Sequence, residues 1–223
     1  NLDPNIRYET PLYYMNFPKV QRRITYATSF GSWVENFPLR EKELLPWIEQ
    51  FDALSMREES GVRMLQSRGM ACEWVLDPTL LLEQTDYDKI AEKRIIDEPY
   101  VLLFSWNGAE EAVEITKKVS DKLGCKAFYI VPPPRAMFCG IQRKLDVGPR
   151  EFLSLVKYAE FIVTNSFHGT VFSTIYKKPF ISAIKGEVDP RRASLMKQLG
   201  LENHLISPER MELSTIMETD FSK

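Results

Sequence analysis

Between Tyr100 and Leu199 the sequence alternates short apolar runs with amphipathic stretches, and this alternation limits the fold more than any other feature. Tyr100–Trp106 (YVLLFSW) is a continuous apolar run, the mark of a strand covered on both faces. Ala109–Leu123 places Ala112, Ile115, Val119 and Leu123 on one helical stripe, and Gly124 supplies the stop. Lys126–Val131 (KAFYIV) reads as a strand halted by Pro132–Pro134. Pro149–Glu160 opens with proline at a helix start and carries Phe152, Leu153, Leu155, Val156 and Ala159. Phe161–Thr164 is predicted as a strand, Phe167–Lys177 as a helix, Pro179–Ile184 as a strand and Arg191–Leu199 as a helix ended by Gly200. Strands separated by helices of this length form βαβ units. The fold class is therefore α/β with a parallel sheet.

The N-terminal part alternates more weakly. Arg23–Thr28 (RITYAT) is β-rich and stops at Ser29-Phe30-Gly31. Leu39–Phe51 has helical spacing, with Pro46 expected to break or kink it. Ala53–Met56 and Cys72–Leu76 read as short strands around a helix over Glu58–Arg68, which uses Val62, Met64 and Leu65 and ends at Gly69. The stretch Glu83–Glu98 is charged and poor in β-formers, with a short helical signal around Tyr87–Ile95. The predicted organisation is a partial N-terminal α/β domain over 1–83, a linker over 84–99, a C-terminal domain over 100–207 and a tail over 208–223. The first region is read as incomplete, because its strands are few and the chain opens abruptly at Asn1 rather than Met.

Composition removes several classes. Lys plus Arg (29) nearly balances Asp plus Glu (31), and the net charge of -2 leaves no basic footprint for nucleic acid. Cys72, Cys125 and Cys139 are isolated and the chain has 2 histidines, so neither a disulfide framework nor an ordinary structural zinc site is expected. No metal cluster is read from the sequence. No apolar run approaches the roughly 18 residues of a membrane span, and no signal-peptide pattern opens the chain. The expectation is a soluble, cytoplasmic protein.

In open α/β sheets ligands bind beyond the carboxyl ends of the strands. Asn165–Thr170 (NSFHGT) sits at such a junction. Ser166 is placed as an N-cap, the first-turn amides favour an anion, His168 adds a titratable group, and Gly169 allows close approach to the backbone. A plain cap with a solvated histidine has the same spacing. At Ser55–Ser60 (SMREES), Arg57 can clamp a carboxylate or phosphate, and Glu58 or Glu59 can act as a base. An acidic first turn that complements the helix dipole explains the same residues. Lys185 leaves a strand in Ile184-Lys185-Gly186, and Arg191 and Arg192 open a helix, where cations oppose the dipole. No GxxxxGK[ST] or GxGxxG loop and no GxSxG elbow appears. The residues alone describe an α/β protein with a cationic, histidine-containing anion site.

Gly148–Leu153 (GPREFL) and Ala159–Gly169 (AEFIVTNSFHG), together with Tyr26–Gly31 (YATSFG), Ser55–Gly61 (SMREESG) and Asp77–Leu82 (DPTLLL), resemble the polysaccharide pyruvyl transferase family in sequence and in order. The resemblance runs from about Tyr26 to Leu201. It implies an enzyme that moves a pyruvyl group from phosphoenolpyruvate to a sugar, usually closing a cyclic ketal on a bacterial cell-surface polysaccharide. It also implies a GT-B-like fold, with a Rossmann-like C-terminal half holding the donor and an incomplete N-terminal domain on the acceptor side. Family members carry an earlier segment ending in a motif like GSDQVWN, and the resemblance sets Asn1 at the end of that motif.

The implied site has His168 as phosphate ligand or acid and Glu58 as base. Arg57 and Lys185 are anion clamps, Arg192 is a fourth cation, and Ser166 and Gly169 form the helix start. The implied partners are phosphoenolpyruvate and a sugar or lipid-linked glycan, with no cofactor or metal and no nucleic acid. Peripheral association with the inner face of the cell membrane and oligomers are both compatible with this. The alternatives are a GT-B glycosyltransferase that uses a nucleotide sugar and a non-catalytic fragment.

Overall fold

Phe161–Thr164 is buried along its whole length and Tyr100–Phe104 along all but its last residue, which requires helices on both faces of the sheet that holds them. The computed structural model describes residues 14–16, 21–105, 110–130, 140–143 and 146–211. The predicted strand end at Trp106, the helix start at Ala109, the strand end at Val131, Pro132–Pro134 and Cys139 lie outside them.

In chain order the elements are α1 (Phe37–Ile48), β1 (Ser55–Met56), α2 (Glu59–Gln66), β2 (Glu73–Trp74), α3 (Gln84–Asp88), β3 (Tyr100–Phe104), α4 (Glu110–Leu123), β4 (Lys126–Tyr129), β5 (Gln142–Arg143), α5 (Pro149–Tyr158), β6 (Phe161–Thr164), α6 (Phe167–Ile175), β7 (Phe180–Ala183), α7 (Pro190–Leu199) and β8 (Leu205–Ile206). They fall into two compact units. One comprises residues 1–81 and 189–199, the other residues 82–188 and 200–223.

The second unit carries a six-stranded sheet in the order β5-β4-β3-β6-β7-β8, with every neighbouring pair parallel. The four strands expected to be parallel neighbours are therefore so. β3 shows how its two faces are covered. Val101 and Leu103 pack with Ala112, Ile115 and Val119 of α4. On the alternate residues, Tyr100 donates its hydroxyl to Leu155 O (2.7 Å) and Phe104 meets the Phe152 ring at 5.0 Å, both on α5. Because side chains alternate across a strand, α4 and α5 lie on opposite faces. His204 is a core residue, fully buried, with Nδ1 2.8 Å from Phe180 O and its ring stacked on Phe180 at 4.5 Å.

The first unit has a parallel two-stranded ladder, β1 with β2, extended by isolated parallel bridges Ile24↔Ala53 and Thr28↔Met56. The strand predicted over Arg23–Thr28 is not continuous. Ala27 takes a left-handed φ of 52°, which breaks the pleat, and the Ser55 side chain replaces the lost ladder by accepting from Ala27 N (3.1 Å) and donating to Thr25 O (2.9 Å). α1 runs through Pro46 and ends two residues later, and its non-helical residue is Arg40 (φ -123°, ψ 15°). The core joins Phe30, Trp33 and Phe37, in edge-on ring contacts at 5.4 and 6.3 Å, to Leu44, Ile48, Met56, Val62 and Leu65.

α7 also belongs to this unit. Ser194 Oγ accepts the Glu59 N–H that opens α2 (2.9 Å), and Lys197 Nζ reaches Glu59 Oε2 (2.8 Å) while lying over the Trp74 ring at 5.6 Å. The chain thus leaves the second unit after Val188 and rejoins it at Gly200.

Candidate functional site

The order of the six-stranded sheet places its change of direction between β3 and β6, because the chain winds outward from β3 through β4 to β5 and then restarts at β6 on the other side. Ligands of open α/β sheets bind at this reversal, outside the strand ends. NSFHGT leaves β6 at that point. Ser166, with extended φ and ψ of -89° and 141°, is the N-cap of α6, and its Oγ accepts from Gly169 N (3.4 Å). His168 is exposed in the first turn, at the positive end of the helix dipole, with its ring edge-on to Phe167 at 5.3 Å.

The strand ends beneath the helix are tied by hydroxyls. Thr164 Oγ1 donates to Phe104 O (2.6 Å) and accepts from Ser166 N (3.0 Å). Thr170 Oγ1 donates to Ser166 O (3.1 Å) and lies 3.2 Å from Ser182 Oγ on β7. Thr164, Thr170 and Ser182 are all fully buried. These three residues were not singled out from the sequence, although a lone hydroxyl at the end of an apolar strand (FIVT) was available as a signal.

Gly169 also has a packing role. A Cβ there would strike Thr164 Oγ1 and come within 2.9 Å of Thr164 Cβ and Phe104 Cδ1. Its missing side chain lets α6 sit on β6 and β3. Gly169→Ala is accordingly expected to cost about 1–3 kcal/mol through overpacking. Chemical denaturation would read this as a lower midpoint at unchanged slope.

Lys185 is exposed beyond β7 and opens on a cavity of about 600 Å³ that Glu110, Glu111, Glu114, Glu209 and Arg210 also line. His168 does not line it. Carboxylates outnumber cations there, so these surroundings suit hydroxyl groups better than a multiply charged anion.

In the first unit, Arg57 follows β1 directly. Its Nη1 donates to Asp77 Oδ2 (2.5 Å), with the side chains 18% and 2% exposed. Burial works to raise the Asp77 pKa, but the Thr79 and Arg57 bonds outweigh it and hold the carboxyl below its ordinary 3.8. Glu58 is fully buried, and its Oε1 accepts from the backbone N–H groups of Phe30 (2.5 Å) and Gly31 (3.1 Å). Burial pushes its pKa above the ordinary 4.5 against the opposing pull of those amides and of Arg57. A carboxyl enclosed in this way holds a loop. Glu58, the residue expected as the base, thus lies fully buried against the Phe30–Gly31 turn.

Arg192 is also buried, at 7% exposure. Its neighbour Arg191 grips Asp189 through Nε (2.9 Å) and Nη2 (2.6 Å), and Asp189 Oδ1 also accepts from Arg191 N (2.9 Å). The two cations that oppose the α7 dipole are thus answered by an acid just ahead of the helix, and Arg191 is close enough to Glu58 to feel its charge. The structure therefore groups Arg57, Glu58 and Arg191 in one unit, and Ser166, His168 and Gly169 in the other. Asp77 and Asp189 were missed as partners.

The sheet order and switch-point helix define a Rossmann-like α/β protein. A protein of Listeria monocytogenes described as a UDP-N-acetylglucosamine 2-epimerase has a similar fold at TM-score 0.53 and 11% identity, over 92% of this chain and 60% of its own. The UDP-GlcNAc 2-epimerase of Methanocaldococcus jannaschii aligns at TM-score 0.47 and 14% identity, over 80% of this chain and 57% of its own. The chain thus spans less than two thirds of the length of either, and the Listeria likeness supports a GT-B-like fold. A comparison with curated proteins gives no match. The description of the polysaccharide pyruvyl transferases fits residues 1–184, and the chain belongs to that transferase family. Among the described residues no helix is long and apolar enough to cross a membrane.

Proposed function

We propose that this chain carries the donor chemistry of an enzyme that transfers pyruvyl from phosphoenolpyruvate to two hydroxyls of a sugar, as free or lipid-linked glycan, on the cytoplasmic side of the membrane. The observation that carries the reading is His168, exposed in the first turn of a capped helix at the reversal of a parallel sheet. Helix N-termini in this position favour phosphate.

The chemistry asks for little more at the start. A proton added to the methylene carbon of phosphoenolpyruvate turns CH2 into CH3 and leaves positive charge on the adjacent carbon. One sugar hydroxyl attacks that carbon, the bond to phosphate oxygen breaks, and a second hydroxyl closes the ketal. The two hydroxyl protons balance the one donated to carbon and the one taken by the departing phosphate. In this scheme His168 is the proton donor or the group that stabilises the leaving phosphate. Ser166 fixes the helix start that presents His168, and in the first unit Glu58 anchors the Phe30–Gly31 turn. No step calls for a metal or cofactor.

A thermal-shift series tests the donor. Phosphoenolpyruvate at about 100 times its dissociation constant is expected to add about 2.7 kcal/mol of stability. A larger shift with a uridine nucleotide sugar would replace this reading with that of a glycosyltransferase.

A further inference from the structure

We propose that Thr164 is a positioning residue whose hydroxyl sets the place of the α6 start, and with it of His168, against the phosphate of the donor. This rests on the reading of His168 as the group that meets that phosphate. Both residues belong to the second unit. β6 is FIVT, buried along its whole length, and Thr164 is where an apolar strand gives way to a hydroxyl. A buried hydroxyl costs stability unless it is hydrogen-bonded. Valine has the same branched shape and suits a strand as well, so filling space does not account for a threonine here.

The bonds account for it, and they lead to the turn. Thr164 Oγ1 donates to Phe104 O (2.6 Å), the carbonyl of its register partner on β3, and accepts from Ser166 N (3.0 Å). The hydroxyl therefore ties the two strands that flank the sheet reversal to the capping residue. Ser166 is held at its other polar groups as well. Its O accepts from Thr170 N (3.1 Å) and Thr170 Oγ1 (3.1 Å), and its Oγ accepts from Gly169 N (3.4 Å). Gly169 in turn lies against Thr164, since a Cβ there would strike Thr164 Oγ1. His168 is exposed between Ser166 and Gly169, and both of these are seated on this one side chain. A hydroxyl that served only the pairing of β3 with β6 would end its work at Phe104 O. The bond to Ser166 N carries the position of the strand ends into the position of His168, and a misplacement of about 1 Å at a reacting group can cost about a hundredfold in rate.

The test compares Thr164→Val and Thr164→Ser in the full chain by melting temperature, by kcat and KM for phosphate release from phosphoenolpyruvate, and by the imidazole proton resonances. The chain has 2 histidines, and His204, buried and stacked on Phe180, is the internal reference for His168. Thr164→Val keeps the shape and deletes both bonds. It is expected to lower kcat by about tenfold to a hundredfold with a smaller change in KM, and to shift the His168 resonance while that of His204 stays in place. Thr164→Ser keeps both bonds and gives up a buried methyl. It is expected to lower the melting temperature and yet turn over within a few-fold of the parent. Should Thr164→Val fail to fold, Thr164→Cys replaces it, because a thiol is a weak donor and a weak acceptor, and its kcat is expected to fall in the same direction by a few-fold. Rate losses that follow the melting temperature alike in the valine and serine variants, or a His168 resonance unmoved by Thr164→Val, would overturn the positioning role and leave the functional reading intact. An unmodified chain that neither releases phosphate from phosphoenolpyruvate nor shifts its His168 resonance when phosphoenolpyruvate is added would overturn the functional reading, and this role with it.

Discussion

His168→Ala should slow phosphate release from phosphoenolpyruvate by about a hundredfold or more, the usual cost of losing a general acid or a donor to developing charge. The same substitution should leave the melting temperature nearly unchanged. His168 is exposed with its ring edge-on to Phe167, and the cap of α6 is made by Ser166 and the Gly169 amide, neither of which the substitution touches. Surface changes of this kind alter stability by about 0.5 kcal/mol at most. The chain holds its own control in His204, which is buried and bonded to Phe180 O. His204→Ala should do the reverse, lowering the melting temperature while each folded molecule turns over at a near-normal rate. A stable His168→Ala protein with undiminished turnover would remove the residue from the chemistry.

The parts of this fold that were legible are those decided by neighbours in sequence. FIVT-NSFHG declares a buried strand, a capping serine and a helix within ten residues, and the structure matches it because no distant contact is needed to make it so. The role of a charged residue depends on its distant partners. Arg57 reads equally as a solvated or a ligand-binding cation, and nothing near it in sequence shows that Asp77, twenty residues on, lies against it. The α7 dipole looks opposed by Arg191 and Arg192 until Asp189 is seen gripping Arg191. Gly169 looks like room for a ligand, and whether that room is already filled depends on Thr164 and Phe104. The return of α7 to α2 rests on Ser194 meeting the Glu59 amide across 135 residues, a pairing with no local signal. Ala27 shows the same limit for backbone, since its β-rich surroundings gave no warning of a positive φ.

Glu58→Ala should destabilise the protein by about 2–4 kcal/mol, because it strands two backbone donors that have no water to turn to. Oε1 of Glu58 serves both Phe30 N and Gly31 N, and the side chain is fully buried. Glu58→Gln preserves that acceptor, since an amide carbonyl receives the same two bonds, and should remain within about 1 kcal/mol of the parent at neutral pH. The pair of variants also carries a pH signature. Burial raises the Glu58 pKa above 4.5, so across the window from 4.5 to the raised value the folded state binds more protons than the unfolded chain. Stability therefore falls as pH rises through that window. Asp77 and Asp189 are held below 3.8, and what they contribute is complete above that value and lost as pH falls, so the two effects occupy different ranges. Subtracting Glu58→Gln melts from parent melts should isolate the downward slope above pH 4.5. Turnover then decides the role. A catalytic base replaced by glutamine loses about 100- to 10,000-fold, whereas a loop anchor whose acceptor survives loses little. A folded Glu58→Gln protein with near-parental pyruvyl transfer is the expected result, and one with transfer abolished would return Glu58 to the reacting groups.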